Sequence, residues 1–242
     1  MTLVTKSVYA DERESSQVSK SLVFAILRRV GHLVFRPSRR HLFAALLALA
    51  ALVGAACNPV DTPADRAGRC QVGVVGDSLT VGARDFGSLS SKFSGQGCTV
   101  TAIDARVGRP TSEGASIIES WASQGSLPDI LVVALGTNDC DPAGFLAQMQ
   151  RIFLATGFTQ PVVWVNTWRP GCHEGINDML HRVQLLFNRL QPALGSLWIV
   201  DHEQWISQNR VLLAGDGIHL TGDGYRAYAE RIVEAVLEAP YE

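Results

Sequence analysis

The chain has 242 residues, 47% of them hydrophobic, which suffices for one sizeable core with a tail but not for two large domains. Its formal charge of -2 is unevenly distributed: residues 1–57 carry 8 Lys and Arg against 3 Asp and Glu, whereas residues 58–242 carry 13 against 20. Nucleic acid is therefore not an expected partner of the acidic part, because binding phosphates requires a basic face.

Residues 1–57 have the features of a cytoplasmic extension followed by a signal or anchor segment. The run that ends at Cys57, LFAALLALAALVGAAC, is apolar and uncharged, and it directly follows the basic stretch RPSRRH. This order of basic, apolar and small residues is typical of a secretory signal. A spanning helix normally needs about 20 residues, so an uncleaved anchor is the alternative. Because a basic flank stays in the cytoplasm, we expect the chain after Cys57 to be exported to the cell envelope or secreted.

The last residues of this run, VGAAC, resemble a bacterial lipobox, in which the cysteine is lipidated and becomes the new N-terminus. The small residues before Cys57 fit that pattern, whereas Gly54 stands where leucine is usual, so lipidation and ordinary cleavage both remain open. Upstream, the apolar spacing over residues 22–34 fits a basic amphipathic helix suited to a membrane surface, with a start codon assigned too early as the alternative explanation of this segment. Residues 58–69, NPVDTPADRAGR, are polar and contain proline, which indicates a linker.

Residues 70–242 are predicted to form one domain of the α/β class. Apolar, β-rich runs that predict strands lie at 71–76, 99–104, 130–136, 161–167 and 197–202. Helical spacing of apolar residues is clearest over 173–191 and 222–238. Strands that alternate with helices predict a five-stranded parallel sheet covered on both faces, a three-layer α/β/α arrangement. The expected strand order is the flavodoxin-like 2-1-3-4-5, and we expect a monomeric domain.

Four cysteines remain in this domain after Cys57 is set aside. In the predicted strand order, Cys70 and Cys98 lie at the starts of neighbouring strands, and Cys140 and Cys172 lie just beyond the ends of another neighbouring pair. Both pairs come within the separation that a disulfide tolerates, and an exported domain favours oxidation. We therefore predict the disulfides Cys70–Cys98 and Cys140–Cys172, with four unrelated buried thiols as the alternative.

Four polar clusters are predicted to gather at one edge of the sheet. Three follow predicted strands, at 76–78, 104–108 and 136–139, and the fourth lies in a late loop at 216–225. Each cluster alone is typical of a turn or a helix N-cap. Ligands of parallel α/β sheets bind outside the carboxyl ends of the strands, so the four clusters together indicate a binding or catalytic site.

Over about residues 71–236 the chain resembles the SGNH, or GDSL, hydrolase family of esterases and acyl hydrolases or transferases. The family's motif blocks appear as Gly76-Asp77-Ser78-Leu79, a glycine assigned to Gly108, Gly136-Thr137-Asn138-Asp139 and Asp216-Gly217-Ile218-His219. The second block departs from the family pattern, because Arg106, Arg109 and Pro110 surround Gly108 where asparagine or small residues are usual. The resemblance implies a serine hydrolase that cleaves or transfers acyl groups of carboxylic esters through an acyl-serine. Together with the signal segment, this predicts an exported enzyme that acts on O-acyl groups of envelope carbohydrates or lipids.

The residue types also suit that chemistry. A serine hydroxyl such as that of Ser78 becomes nucleophilic when a base takes its proton, and His219 is suited to that role near neutral pH. Asp216 lies three residues earlier and can orient the imidazole and stabilise its charged form. The oxyanion of the tetrahedral intermediate needs hydrogen-bond donors, for which the backbone N–H groups of Ser78 and Gly108 and the side-chain amide of Asn138 are candidates.

Some assignments have competitors. His202 beside Asp201 also follows a predicted strand and is an alternative to His219. Arg106, Arg109 and Trp168 are candidates for contact with substrate. No cofactor or metal is predicted, since the chain lacks a zinc-site spacing, an EF-hand loop and a nucleotide-binding glycine motif. The rival function is a catalytically silent glycan-binding module of the same fold in the cell envelope.

Overall fold

The protein is described here by a computed structural model covering residues 70–190 and 194–239. Its five-stranded sheet has the order β2-β1-β3-β4-β5, and every pair of neighbours is parallel. The strands are β1 (Gln71–Gly76), β2 (Thr99–Ala105), β3 (Ile130–Ala134), β4 (Val162–Val165) and β5 (Leu197–Val200). The predicted strand number, direction and order are confirmed. The expected extension, Cys57 and linker lie outside the described residues.

Helices cover both faces of the sheet. They are α1 (Ser78–Asp85), α2 (Leu89–Gly95), α3 (Thr111–Ser123), α4 (Pro142–Ala155), α5 (His173–Leu190), α6 (His202–Gln208) and α7 (Gly222–Glu238), with a 3-10 turn at Arg210–Leu212. Helices α3, α4 and α5 pack side by side in one layer, and α1, α2 and α7 pack together in the other. The predicted three-layer α/β/α architecture is therefore confirmed. Within these two described ranges, no helix is long and apolar enough to cross a membrane.

The core is centred on β1 and β3. All five residues of β3 are buried, and β1 is buried after its first residue, because helices shield both faces of a parallel sheet. Beside them on β4, Trp164 is fully buried, its ring meets Phe145 edge-on at 5.5 Å, and its indole N–H donates to the Leu135 carbonyl at 3.1 Å. This bond satisfies the polar end of the indole, as burial of tryptophan requires.

Helices α1 and α7 approach each other closely. A Cβ atom on Gly82 of α1 would lie 2.0 Å from the ring of Tyr225 on α7, so a side chain at residue 82 would push the helices apart. Glycine at this position therefore allows α7, and the loop that precedes it, to lie against the helix that begins at Ser78.

Both predicted disulfides are present. Cys70 and Cys98 join the starts of β1 and β2 with a Cα–Cα distance of 4.6 Å. Cys140 and Cys172 join the loop after β3 to the segment before α5 with a Cα–Cα distance of 4.8 Å. The second bridge lies two residues after Asn138 and closes a loop of the chain beside the predicted site.

Candidate active site

Ser78 is the first residue of α1 and directly follows the end of β1. Asp77 is the N-cap, and its carboxylate Oδ1 accepts a hydrogen bond from the Leu79 N–H at 2.9 Å. A Cβ atom on Gly76 would lie 1.8 Å from the Thr80 hydroxyl oxygen, so only glycine permits this sharp strand-to-helix turn. The N–H of a residue at the first helical position has no intrahelical acceptor. The Ser78 amide is therefore suited to bind an anion beside the hydroxyl.

Asp216 and His219 lie at the tip of a hairpin that precedes α7. Leu213 and Leu220 form an antiparallel bridge at its base, and the Ala214 N–H donates to the His219 carbonyl at 2.7 Å. Within the tip, Asp216 Oδ1 accepts from the N–H groups of Ile218 at 3.0 Å and of His219 at 2.9 Å. The backbone of the loop thereby fixes one carboxylate oxygen and leaves the other for the His219 ring.

The three predicted catalytic side chains meet in series. The Ser78 hydroxyl lies 2.9 Å from His219 Nε2, and His219 Nδ1 lies 2.5 Å from Asp216 Oδ2. The hydrogen bond from His219, together with those from the two backbone N–H groups, lowers the pKa of Asp216 to about 2. Asp216 is therefore ionised at neutral pH and holds the Nδ1–H tautomer, which leaves Nε2 free to accept the serine proton.

Gly108 occupies a turn at the end of β2. The Arg109 N–H donates to the Arg106 carbonyl at 3.3 Å and closes the turn, and Gly108 has a φ of +72° at its third position. A type II turn requires positive φ there, which glycine adopts without strain. No atom lies within 4 Å of a Cβ placed on Gly108, so the backbone conformation and not a lack of space favours glycine. The turn follows β2, which neighbours the strand that leads to Ser78.

Asn138 lies in the loop after β3 and is tied to the turn of Gly108. Its Nδ2 donates one hydrogen bond to the Arg109 carbonyl at 3.1 Å, which leaves the second N–H of the amide for another acceptor. Next to it, Asp139 Oδ2 accepts from the N–H and the hydroxyl of Thr111, at 3.0 and 2.7 Å. These bonds fix two loops that carry predicted oxyanion donors relative to each other.

The prediction that Arg109 contacts substrate is wrong. Its side chain is only 4% exposed, and its guanidinium donates to the carbonyls of Gly76 at 3.1 Å and Asp104 at 2.6 Å and to the Asp104 carboxylate at 2.5 Å. Arg109 thus joins the ends of β1 and β2 through these hydrogen bonds. Arg106 is exposed, and its guanidinium is paired with the Glu113 carboxylate.

The alternative histidine, His202, forms no hydrogen bond with Ser78. It begins α6, is buried, and packs against the ring of Tyr228 at 4.9 Å and of Trp205 at 5.6 Å. Burial, with a smaller contribution from the nearby Arg231 charge, lowers the pKa of His202 to about 3. Neither ring nitrogen of His202 has a hydrogen-bond partner, whereas His219 Nε2 lies 2.9 Å from the Ser78 hydroxyl, so His219 is the histidine placed to act.

Other acidic residues of these loops serve mainly to cap helices. The Asp139 carboxylate accepts a hydrogen bond from the Thr111 N–H at the start of α3. The Asp141 carboxylate accepts from the N–H groups of Ala143 and Gly144 at the start of α4. No group of three or more His, Cys, Asp or Glu in the described part of the chain is arranged to hold a metal ion.

Two features of the site carry no clear sequence signal. Asp77 is buried, and burial raises its pKa to about 6 against the opposing effect of the Leu79 N–H. Trp168, half-buried just past β4, donates its indole N–H to the Gly217 carbonyl at 3.0 Å, inside the loop of Asp216 and His219. The sequence marks both residues as polar or aromatic near strand ends but gives no sign of these partners.

Solved structures of esterases and of an O-acetyltransferase share the α/β/α fold of this chain. Neither a protein-family model nor a curated protein sequence matches the chain.

Three of the similar structures illustrate the likeness. The C-terminal catalytic domain of the peptidoglycan O-acetyltransferase A of Streptococcus pneumoniae, solved with a methylsulfonyl adduct, is 18% identical, with a TM-score of 0.54 over 70% of this chain and 91% of that one. A family 3 carbohydrate esterase of Clostridium thermocellum is 16% identical, with a TM-score of 0.53 over 69% and 92%. A family 3 carbohydrate esterase of Talaromyces cellulolyticus is also 16% identical, with a TM-score of 0.55 over 69% and 96%. At such identities the likeness concerns the fold.

Proposed function

We propose that this protein is a serine esterase or acyltransferase of the SGNH type that works through an acyl-Ser78 intermediate. The observation that carries the proposal is the unbroken series from the Ser78 hydroxyl through the His219 ring to the Asp216 carboxylate. Such a series lets a weak nucleophile lose its proton as it attacks. The similar structures include an O-acetyltransferase and carbohydrate esterases, which supports the same reaction class for this chain.

The first half-reaction forms the acyl-enzyme. His219 Nε2 takes the Ser78 proton while Oγ bonds to the ester carbonyl carbon, whose oxygen becomes the oxyanion. The N–H groups of Ser78 and Gly108 and the Asn138 amide are assigned to bind that oxygen. Asp216, already ionised, stabilises the imidazolium. The carbon–oxygen bond to the alcohol then breaks, and the alcohol leaves with the proton from His219.

The second half-reaction releases the acyl group. A water molecule gives a proton to His219 as its oxygen attacks the acyl-serine, which yields the carboxylic acid and restores Ser78. If a sugar or other hydroxyl takes the place of water, the acyl group is transferred. Because the similar structures include both esterases and an acetyltransferase, hydrolysis and transfer are both within this proposal.

We further propose an exported domain that acts on O-acyl groups of envelope carbohydrates or lipids. Two disulfides support export, since disulfides persist mainly outside the reducing cytosol. The apolar run before Cys57 supports it as well. Arg106, exposed beside the turn of Gly108, is retained as a proposed contact for substrate.

The direct test uses purified protein, p-nitrophenyl esters of increasing chain length, and a fluorophosphonate probe that reacts with activated serines. We expect ester cleavage and labelling at Ser78, and the loss of both in Ser78→Ala. Ser90→Ala, which changes an exposed serine on α2, is the matched control and should behave like the wild type. Folded wild-type protein that neither cleaves these esters nor becomes labelled would contradict the proposal and favour the silent glycan-binding module.

A further inference from the structure

A tryptophan outside the hairpin forms a hydrogen bond with the loop that carries Asp216 and His219. Trp168 lies beyond the end of β4, and its indole Nε1–H donates to the Gly217 carbonyl at 3.0 Å. Gly217 stands between Asp216 and His219 in the chain and has a φ of +71°. The bond therefore reaches the backbone of the same tip that carries the proposed acid and base.

The hairpin cannot fix the position of its own tip. The bond from the Ala214 N–H to the His219 carbonyl and that from the Thr221 N–H to the Leu212 carbonyl set the shape of the hairpin, because both join residues within it. A Cβ atom placed on Gly215 or Gly217 would meet no atom within 4 Å, so these two residues of the tip face open space on that side. A contact from another element is therefore needed to hold the tip against the sheet.

Trp168 is itself held by several segments. Its ring lies 4.8 Å from that of His173, and the Arg210 guanidinium lies 5.3 Å from the ring centre. His173 is anchored at both nitrogens, with Nδ1 at 2.7 Å from the Arg169 carbonyl and Nε2 at 3.1 Å from the Glu203 carboxylate. Contacts other than the bond to Gly217 therefore hold the indole in place, as a positioning group requires.

We propose that Trp168 is a positioning residue that sets where the Asp216–His219 loop stands relative to Ser78, through its hydrogen bond to the Gly217 carbonyl. This inference rests on the proposed esterase function. It gives Trp168 a different role from contact with substrate. Because catalysis is sensitive to small displacements of the reacting groups, loss of this bond should slow the chemical step while substrate binding is retained.

The test compares two replacements of Trp168 that separate its aromatic ring from its N–H. Trp168→Phe keeps an aromatic ring and removes the donor. Trp168→His loses the larger ring but has a five-membered ring whose Nε2 corresponds to the indole Nε1. We expect kcat for a p-nitrophenyl ester to fall about tenfold in the Phe variant with KM unchanged, and to recover in part in the His variant. The rate of fluorophosphonate labelling should follow kcat.

Trp205→Phe is the matched control. Trp205 is also half-buried and has an arginine, Arg231, 5.3 Å from its ring, but it lies on α6. This variant should keep wild-type kinetics. The inference is overturned if Trp168→Phe has wild-type kcat, if its KM rises while kcat is unchanged, or if the Phe and His variants lose activity only in proportion to lost thermal stability. Inactive wild-type protein would instead refute the proposed function, so the two failures are distinguishable.

Discussion

Replacing Asp77 with asparagine should change how the stability of the protein depends on pH. Asp77 is buried at the N-cap of α1, directly before Ser78, and burial raises its pKa from 3.8 to about 6. Between these two pH values, Asp77 is therefore protonated in the folded state and ionised in the unfolded chain. The stabilising contribution of this group is complete below pH 3.8 and is lost as the pH rises through 6. Asparagine does not ionise, and its Oδ1 can still accept from the Leu79 N–H.

The size of the effect follows from the shift in pKa. One pKa unit corresponds to about 1.4 kcal/mol, so the two-unit difference corresponds to roughly 3 kcal/mol. The free energy of unfolding of Asp77→Asn, relative to that of the wild type, should rise by roughly this amount between pH 4 and pH 7. Above pH 7 the difference should be constant, since Asp77 is then ionised in both states.

Urea unfolding of both proteins at a series of pH values measures this difference, because groups that titrate alike in the two proteins cancel. Asp85→Asn is a suitable control: Asp85 is exposed, and its hydrogen bond with Arg84 lowers the pKa of its carboxyl. The Asp85 variant should not gain stability relative to the wild type as the pH rises. A difference between Asp77→Asn and the wild type that is the same at pH 4 and pH 7 would refute the reasoning.

Two further variants test other parts of the structure. Asn138→Ala should lower kcat about a hundredfold because an oxyanion donor is lost, while its circular dichroism spectrum stays that of the wild type. The control Asn188→Ala, on the exposed face of α5, should keep the wild-type kcat. An unchanged kcat in Asn138→Ala would show that Asn138 is not an oxyanion donor. His202→Leu should lessen acid sensitivity. The pKa of His202 is near 3 in the folded state against 6.5 in the unfolded chain, so the free energy of unfolding of the wild type should fall by about 1.4 kcal/mol per pH unit below pH 6.5. Urea unfolding measures this, and an equal fall in the free energy of unfolding of both proteins would contradict the prediction.

The sequence overestimated the length of several strands. The runs 130–136 and 161–167 were predicted as strands, whereas β3 ends at Ala134 and β4 at Val165. Leu135, Asn166 and Thr167 remain buried after the sheet ends, so their burial does not mark strand pairing. An apolar run in the sequence indicates that its residues are buried. Whether they also form strand hydrogen bonds depends on where the neighbouring strand ends.

The role of Arg109 was not visible in the sequence either. An arginine beside a glycine in a loop after a strand has the pattern of an exposed ligand contact. In the structure its long side chain turns inward to the Gly76 carbonyl, 33 residues earlier in the chain. Nothing local to Arg109 encodes that partner, because the position of Gly76 depends on the pairing of β1 with β2.

The sequence by itself determined the alternation of strands and helices, the order of the sheet, and the pairing of Cys70 with Cys98 and Cys140 with Cys172. These follow from hydrophobic periodicity, a short-range property, combined with the few connections that parallel sheets allow. Only the tertiary structure decided that His219 and not His202 faces Ser78. That contact joins residues 141 positions apart and depends on how closely α7 packs on α1, which no local pattern specifies.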